Sequence, residues 1–116
     1  MKRNAIGDRI SWVRASLPSF RRSHGDRSLR LVTYDANTVS RWRAAEVAHF
    51  IFGHLVRRQN DGGVTIEYQY RGFIQRPGVL WVGQSVLLVT SERLAELEAY
   101  LRRHDVAHHS FPISVR

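Results

Sequence analysis

The sequence predicts an α+β fold, and three observations carry that prediction. VTIEYQYR at 64–71 alternates apolar and polar residues without a fault, as a strand with one buried face does. VLWVGQSVLLVT at 79–90 is apolar on both faces, as a strand covered on both sides is. Around these, Ala44, Val47, Ala48, Ile51 and Leu55, and later Leu94, Leu97 and Leu101, recur at helical spacing.

Each element then follows in order. Asn4 is placed to cap a short amphipathic helix whose Ile6, Ile10, Val13 and Leu17 form one stripe, with Pro18 expected to end it. Residues 19–28 read as a loop of Ser, Gly, Arg and one His. LRLVTY from Leu29 is a short first strand. Asn37, Thr38 or Ser40 offers a cap for a helix reaching about Arg58, which NDGG at 60–63 stops. The alternating strand, the loop GFIQRPG and the two-faced strand come next. Ser91 is positioned to cap ERLAELEAYLRRHD, whose acids precede its bases as the helix dipole favours. AHHSFPISV closes the chain as a strand containing Pro112.

The resulting order, βαββαβ, is that of the split βαβ, ferredoxin-like fold. That fold places the first and third strands centrally and the second and fourth at the edges. The third strand here is the most apolar, the second alternates, and the fourth carries a proline that an edge tolerates. The chain thus divides into a basic N-terminal helix and loop over 1–28 and a single ferredoxin-like domain over 29–116. Because the third strand asks for cover on both faces, either the N-terminal helix or a second subunit must lie on the open side of the sheet. A homodimer is the favoured expectation.

Composition narrows the function classes. A chain of 116 residues supports one core. It has no cysteine, which excludes disulfides and thiolate metal sites and suits a reducing cytoplasm, the expected location. No apolar run approaches the ~20 residues of a membrane span. The missing apolar h-region argues against a signal peptide, and Asp8 and Asp26 argue against a mitochondrial presequence. Charge is the strongest signal. The first thirty residues hold eight of the eighteen basic residues and two of the ten acids, so most of the formal +8 sits in the first quarter. Such a balance favours an anionic partner.

Two groups of residues are the candidates for holding it. Arg21, Arg22, Arg27 and Arg30 lie in or beside the predicted loop, and Arg41 and Arg43 bracket Trp42 at a helix start. Guanidinium groups beside an exposed indole can hold phosphates while the ring stacks on a base. Cations at a helix N-terminus sit in an unfavourable field unless an anion is bound, which adds to the same reading. The expected function is therefore a small, non-catalytic protein engaging nucleic acid or another polyanion. The alternative partner is an acidic protein surface, docked by an inhibitor or accessory subunit of the kind phages and mobile elements encode.

Catalytic and metal chemistry find less support. His104, His108 and His109 with Asp105 could supply metal ligands, but adjacent strand residues point to opposite faces. His49 and His54 are five apart on the predicted helix, not four. No glycine-rich phosphate loop, Ser/His/Asp constellation or carboxylate pair is legible, so no cofactor is expected. LVTYD at 31–35 resembles the first-strand ending of the small ferredoxin-like subunit of CRISPR spacer integration and its toxin relatives. That resemblance implies a metal-dependent phosphodiesterase using Asp35 as a second alternative.

Overall fold

The computed structural model describes residues 5–114. Helix α1 (Ala5–His24) leads into strand β1 (Leu29–Asp35), helix α2 (Arg41–Phe52) and strands β2 (Gly53–Gln59), β3 (Thr65–Arg71), β4 (Val79–Gly83) and β5 (Val86–Thr90). Helix α3 (Ser91–Arg103) and strand β6 (Ala107–Ile113) complete the chain. The α+β class holds. Four strands form an antiparallel sheet in the order β4-β5-β1-β6, while among the described residues β2 and β3 pair only with each other.

The strand order differs from the one expected because two segments were apportioned differently. The alternating segment 64–71 is not an edge of the sheet; β3 meets its hydrogen-bonding needs on β2, its neighbour in sequence. The two-faced segment 79–90 is not one strand. It folds back at Gly83–Ser85 into β4 and β5, and β4 takes the edge that 64–71 was expected to fill. β6 is an edge strand, and Pro112 is tolerated there, opposite Arg30.

Helix α2 stops six residues short of Arg58, and Gly53 is the reason. Its φ of 78° and ψ of 178° lie in a region essentially restricted to glycine, so the chain leaves the helix and enters β2 at once. NDGG closes the hairpin rather than the helix. Gly63 N–H donates to the Asn60 carbonyl (3.0 Å), while Asn60 Oδ1 accepts from the Gly62 and Val64 N–H groups.

Two cores flank the sheet. Val32, Tyr34, Leu87 and Val89 face α2 and α3, packing with Val47, Ile51, Leu97 and Leu101. On the other face Leu29, Leu80 and Leu88 pack against Phe20 of α1, with Leu17 half-buried beside them. α1 therefore supplies the cover that β5 demands. The helix runs through Pro18 to His24 instead of ending there. Pro18 forfeits one backbone hydrogen bond, to the Arg14 carbonyl, but burial of Phe20 two residues later is worth about 2 kcal/mol and holds the continuation in place. Residues 19–24, expected as loop, are thus the last turns of α1. The expected cap Asn4 lies outside the described residues, as do the side chains of Ile6 and Ile10. At α3 the cap is Thr90, whose hydroxyl accepts from the Arg93 N–H (3.5 Å), and Ser91 instead donates to the Ser28 carbonyl. No helix among the described residues is long and apolar enough to cross a membrane.

Candidate nucleic-acid interface

The first turn of α2 presents Arg41, Trp42 and Arg43 to solvent. Ser40 caps it, its hydroxyl accepting from the Arg43 N–H at 3.2 Å. Trp42 is 78% exposed, so it is no part of the core. The flanking arginines differ. Arg43 donates to Asp105 at 2.7 Å, tying α2 to the turn after α3. Arg41 has no carboxylate partner among the described residues and sits at the positive end of the helix dipole.

From Trp42 a line of rings continues where sequence reasoning placed none. Trp42, Ala45 and His49 share one face of α2 beside Glu46. His49 stacks on His54 (centroids 4.3 Å, 17° between planes), and His54 stacks on Tyr70 (4.8 Å, 12°). On a continuous helix the two histidines would have diverged. The break at Gly53 turns His54 back over His49 instead. The hairpin then carries the line outward, since cross-strand pairing puts Tyr70 beside His54, Tyr68 beside Val56 and Ile66 beside Arg58 on one face. Tyr68 and Tyr70 are each about half exposed.

Beneath the ring line lies a groove of about 390 Å³, lined by His49, Phe50, His54, Tyr70, Arg71 and Arg76 among others. Its floor is a second stack, Phe50 on Tyr100 (3.8 Å) and Tyr100 on His104 (4.1 Å). Tyr100 donates its hydroxyl proton to the Glu46 carbonyl (3.1 Å), and its pKa is raised by burial and by the Glu46 carboxylate, with Arg103 opposing. Arg76 lies over the Phe50 and Phe73 rings at 5.7 and 5.4 Å and is paired with Glu96 at 2.7 Å. Arg71 ends the alternating strand and Arg76 follows it, and only the hairpin brings both to this groove; Arg58 on β2 instead shares the face of Ile66, Tyr68 and Tyr70.

The N-terminal arginines stand elsewhere. Arg21 and Arg22 occupy the last turn of α1, where they complement the helix dipole, and Arg27 follows in the turn; all three are exposed. Arg30 stands beside the loop, on the strand that LRLVTY predicts. It lies half-buried on β1 and donates to the Ser110 hydroxyl at 3.1 Å. β1 runs from this group to the start of α2, so about 20 Å of strand separates Arg21, Arg22 and Arg27 from Arg41 and Trp42. The two predicted groups are not one cluster.

The remaining candidates have local roles. Asp35 Oδ1 accepts the Asn37 N–H at 2.9 Å and caps a short 3-10 turn, Ala36–Thr38. His108 lies on the helix side of β6, 3.6 Å from Glu98, whereas His109 on the other side meets the edge of Phe111. Among the described residues no group of three His, Asp or Glu side chains could hold a metal ion. Compared with known proteins, the chain matches no family model, no curated protein and no solved structure.

Proposed function

We propose that this is a small basic binding protein that engages single-stranded nucleic acid, acting in the cytoplasm without catalysis of its own. The observation that carries the reading is Trp42, a tryptophan 78% exposed on a helix N-terminus beside Arg41. An indole left in water forfeits the burial that such a ring ordinarily gains, and a base stacking on it recovers that loss. The line His49–His54–Tyr70–Tyr68 supports the same reading: its inner rings are stacked on one another, and the half-exposed Tyr70 and Tyr68 at its outer end offer faces to a base without regard to sequence. Arg41 and Arg58 on the same side supply phosphate contacts, and Arg21, Arg22 and Arg27 supply a second, more distant set. A ferredoxin-like sheet belongs to the proposal. With the β2–β3 hairpin taken as an insertion, the other strands follow βαββαβ, and β1 and β5 would be its two central strands.

The test is affinity for single-stranded oligonucleotides across a salt series. Trp42→Ala is expected to weaken binding about 5- to 100-fold, the range for losing one stacked base. Neutralising Arg21, Arg22 and Arg27 together should lower affinity for many sequences alike and flatten the slope of log affinity against log salt by about two units, 0.7 per lost contact. Arg102 and Arg103, which end α3 and complement its dipole, are the controls and should leave binding unchanged. Absence of measurable affinity at moderate salt would overturn the reading and put an acidic protein surface in its place.

A further inference from the structure

Among the described residues the β2–β3 hairpin pairs with no other strand, and every residue of β3 is exposed. Two strands alone are marginal in water, and an unpaired edge is a template for another strand. The turn fixes which backbone groups that edge offers. Asn60 donates its N–H to the Val64 carbonyl (2.9 Å), so 60 and 64 form a hydrogen-bonded pair, and by alternation so do 58 and 66, 56 and 68, and 54 and 70. Residues 66, 68 and 70 therefore spend their backbone groups on β2. Thr65, Glu67, Gln69 and Arg71 point theirs outward.

We infer that a second copy of this chain pairs with that edge, β3 against β3 and antiparallel, about a two-fold axis at Gln69. In this register Glu67 of each copy lies opposite Arg71 of the other, Tyr68 lies opposite Tyr70, and Gln69 lies opposite Gln69. Opposite charges and aromatic pairs directly across a ladder are the stabilising combinations. Moving the axis to Tyr68 sets Glu67 against Gln69, and moving it to Glu67 sets like charges together. The other edge is unsuited to self-pairing, because GHLVRRQ of β2 holds two arginines and no acid. Within one chain Glu67 already contacts Arg57 at 2.9 Å, while Arg71 has no carboxylate partner among the described residues. The second copy provides one. The axis also brings the two Tyr68–Tyr70 faces onto one side of a four-stranded ribbon.

Sedimentation across a concentration series, without nucleic acid, tests this apart from the proposed binding function. The full chain is expected to form a concentration-dependent dimer. Arg71→Glu, at an exposed side chain, should weaken it roughly tenfold or more by turning two attractive pairs repulsive. Glu67→Arg should do the same. An equimolar mixture of the two variants should dimerise again, since every 67–71 pair is then of opposite sign. Gln69→Pro removes an outward N–H, together with the exposed side-chain hydrogen bonds of Gln69 to the His54 and Tyr70 carbonyls, and should leave a folded monomer. A chain that is monomeric throughout, a dimer indifferent to Arg71→Glu and Gln69→Pro, or a mixture that fails to reassociate would each overturn the inference.

Discussion

Gly53 and Gly72 stand back to back at the root of the hairpin. A Cβ on Gly53 would lie 2.8 Å from the Gly72 backbone nitrogen, and one on Gly72 would run into the Phe52–Gly53 peptide. Here the end of α2 and the end of β3 touch as bare backbone, and the stacking of His54 between His49 and Tyr70 depends on that approach.

Alanine at either position should therefore loosen the hairpin root. Gly53→Ala combines the close contact with a backbone conformation that costs a side-chain-bearing residue about 1–3 kcal/mol. Gly72→Ala has an ordinary φ of −89° and faces the contact alone. Both are expected to lose at least about 2–3 kcal/mol, Gly53→Ala through contact and conformation together and Gly72→Ala through its close approach to the Ile51–Gly53 backbone. Urea unfolding at constant m-value measures it; wild-type stability in either variant would refute the close approach.

Phe20 is the next expectation. It is 8% exposed and, among the described residues, one of four buried in the core between α1 and the sheet. Phe20→Ala should cost about 3–4 kcal/mol and raise binding of a hydrophobic dye as β4 and β5 lose their cover. Trp42→Ala removes an even larger side chain, yet should change stability by under about 0.5 kcal/mol. Comparable losses for the two would mean that α1 does not cover the sheet.

Alkaline pH should destabilise the fold through Tyr34 and Tyr100. Burial raises both pKa values above the ordinary value of about 10, Ser85 opposing the shift at Tyr34 and Arg103 at Tyr100. The sign follows directly: below about pH 10 folded and unfolded chains are both protonated at these groups, and above it the unfolded chain releases its protons first. Stability is then lost as pH rises through the folded values. Urea midpoints between pH 9 and 11 should fall, with a shallower fall in Tyr34→Phe and Tyr100→Phe. A wild-type midpoint that holds level across that window would contradict it.

Part of the candidate site was legible before any fold was known. Arg41, Trp42 and Arg43 were singled out from the chain, and they share an exposed helix turn. Arg30 was legible on the first strand, LRLVTY, but its hydrogen-bond partner was not, because Ser110 lies eighty positions away. His49 and His54 were legible only as candidate metal ligands, and their stack with Tyr70 was not legible for a local reason. A single glycine inside a helical pattern reads as a tolerated defect, and only its positive φ reveals that the helix ends there.

The sequence by itself determined the α+β class, the core stripe of α3, the alternation of β3, the edge position of the strand bearing Pro112 and the excess of positive charge. All of these follow from periodicity, dihedral limits and composition, which neighbouring residues express without help. The tertiary structure alone decided that 64–71 leaves the sheet for a hairpin, that 79–90 folds into two strands, that α1 runs past Pro18 and that the basic residues divide between the two ends of β1. Each of those outcomes is a competition between partners distant in the chain. Phe20 against Leu80 and Leu88 outweighs a lost hydrogen bond at Pro18, and β2 at hand satisfies β3 before a remote sheet edge can.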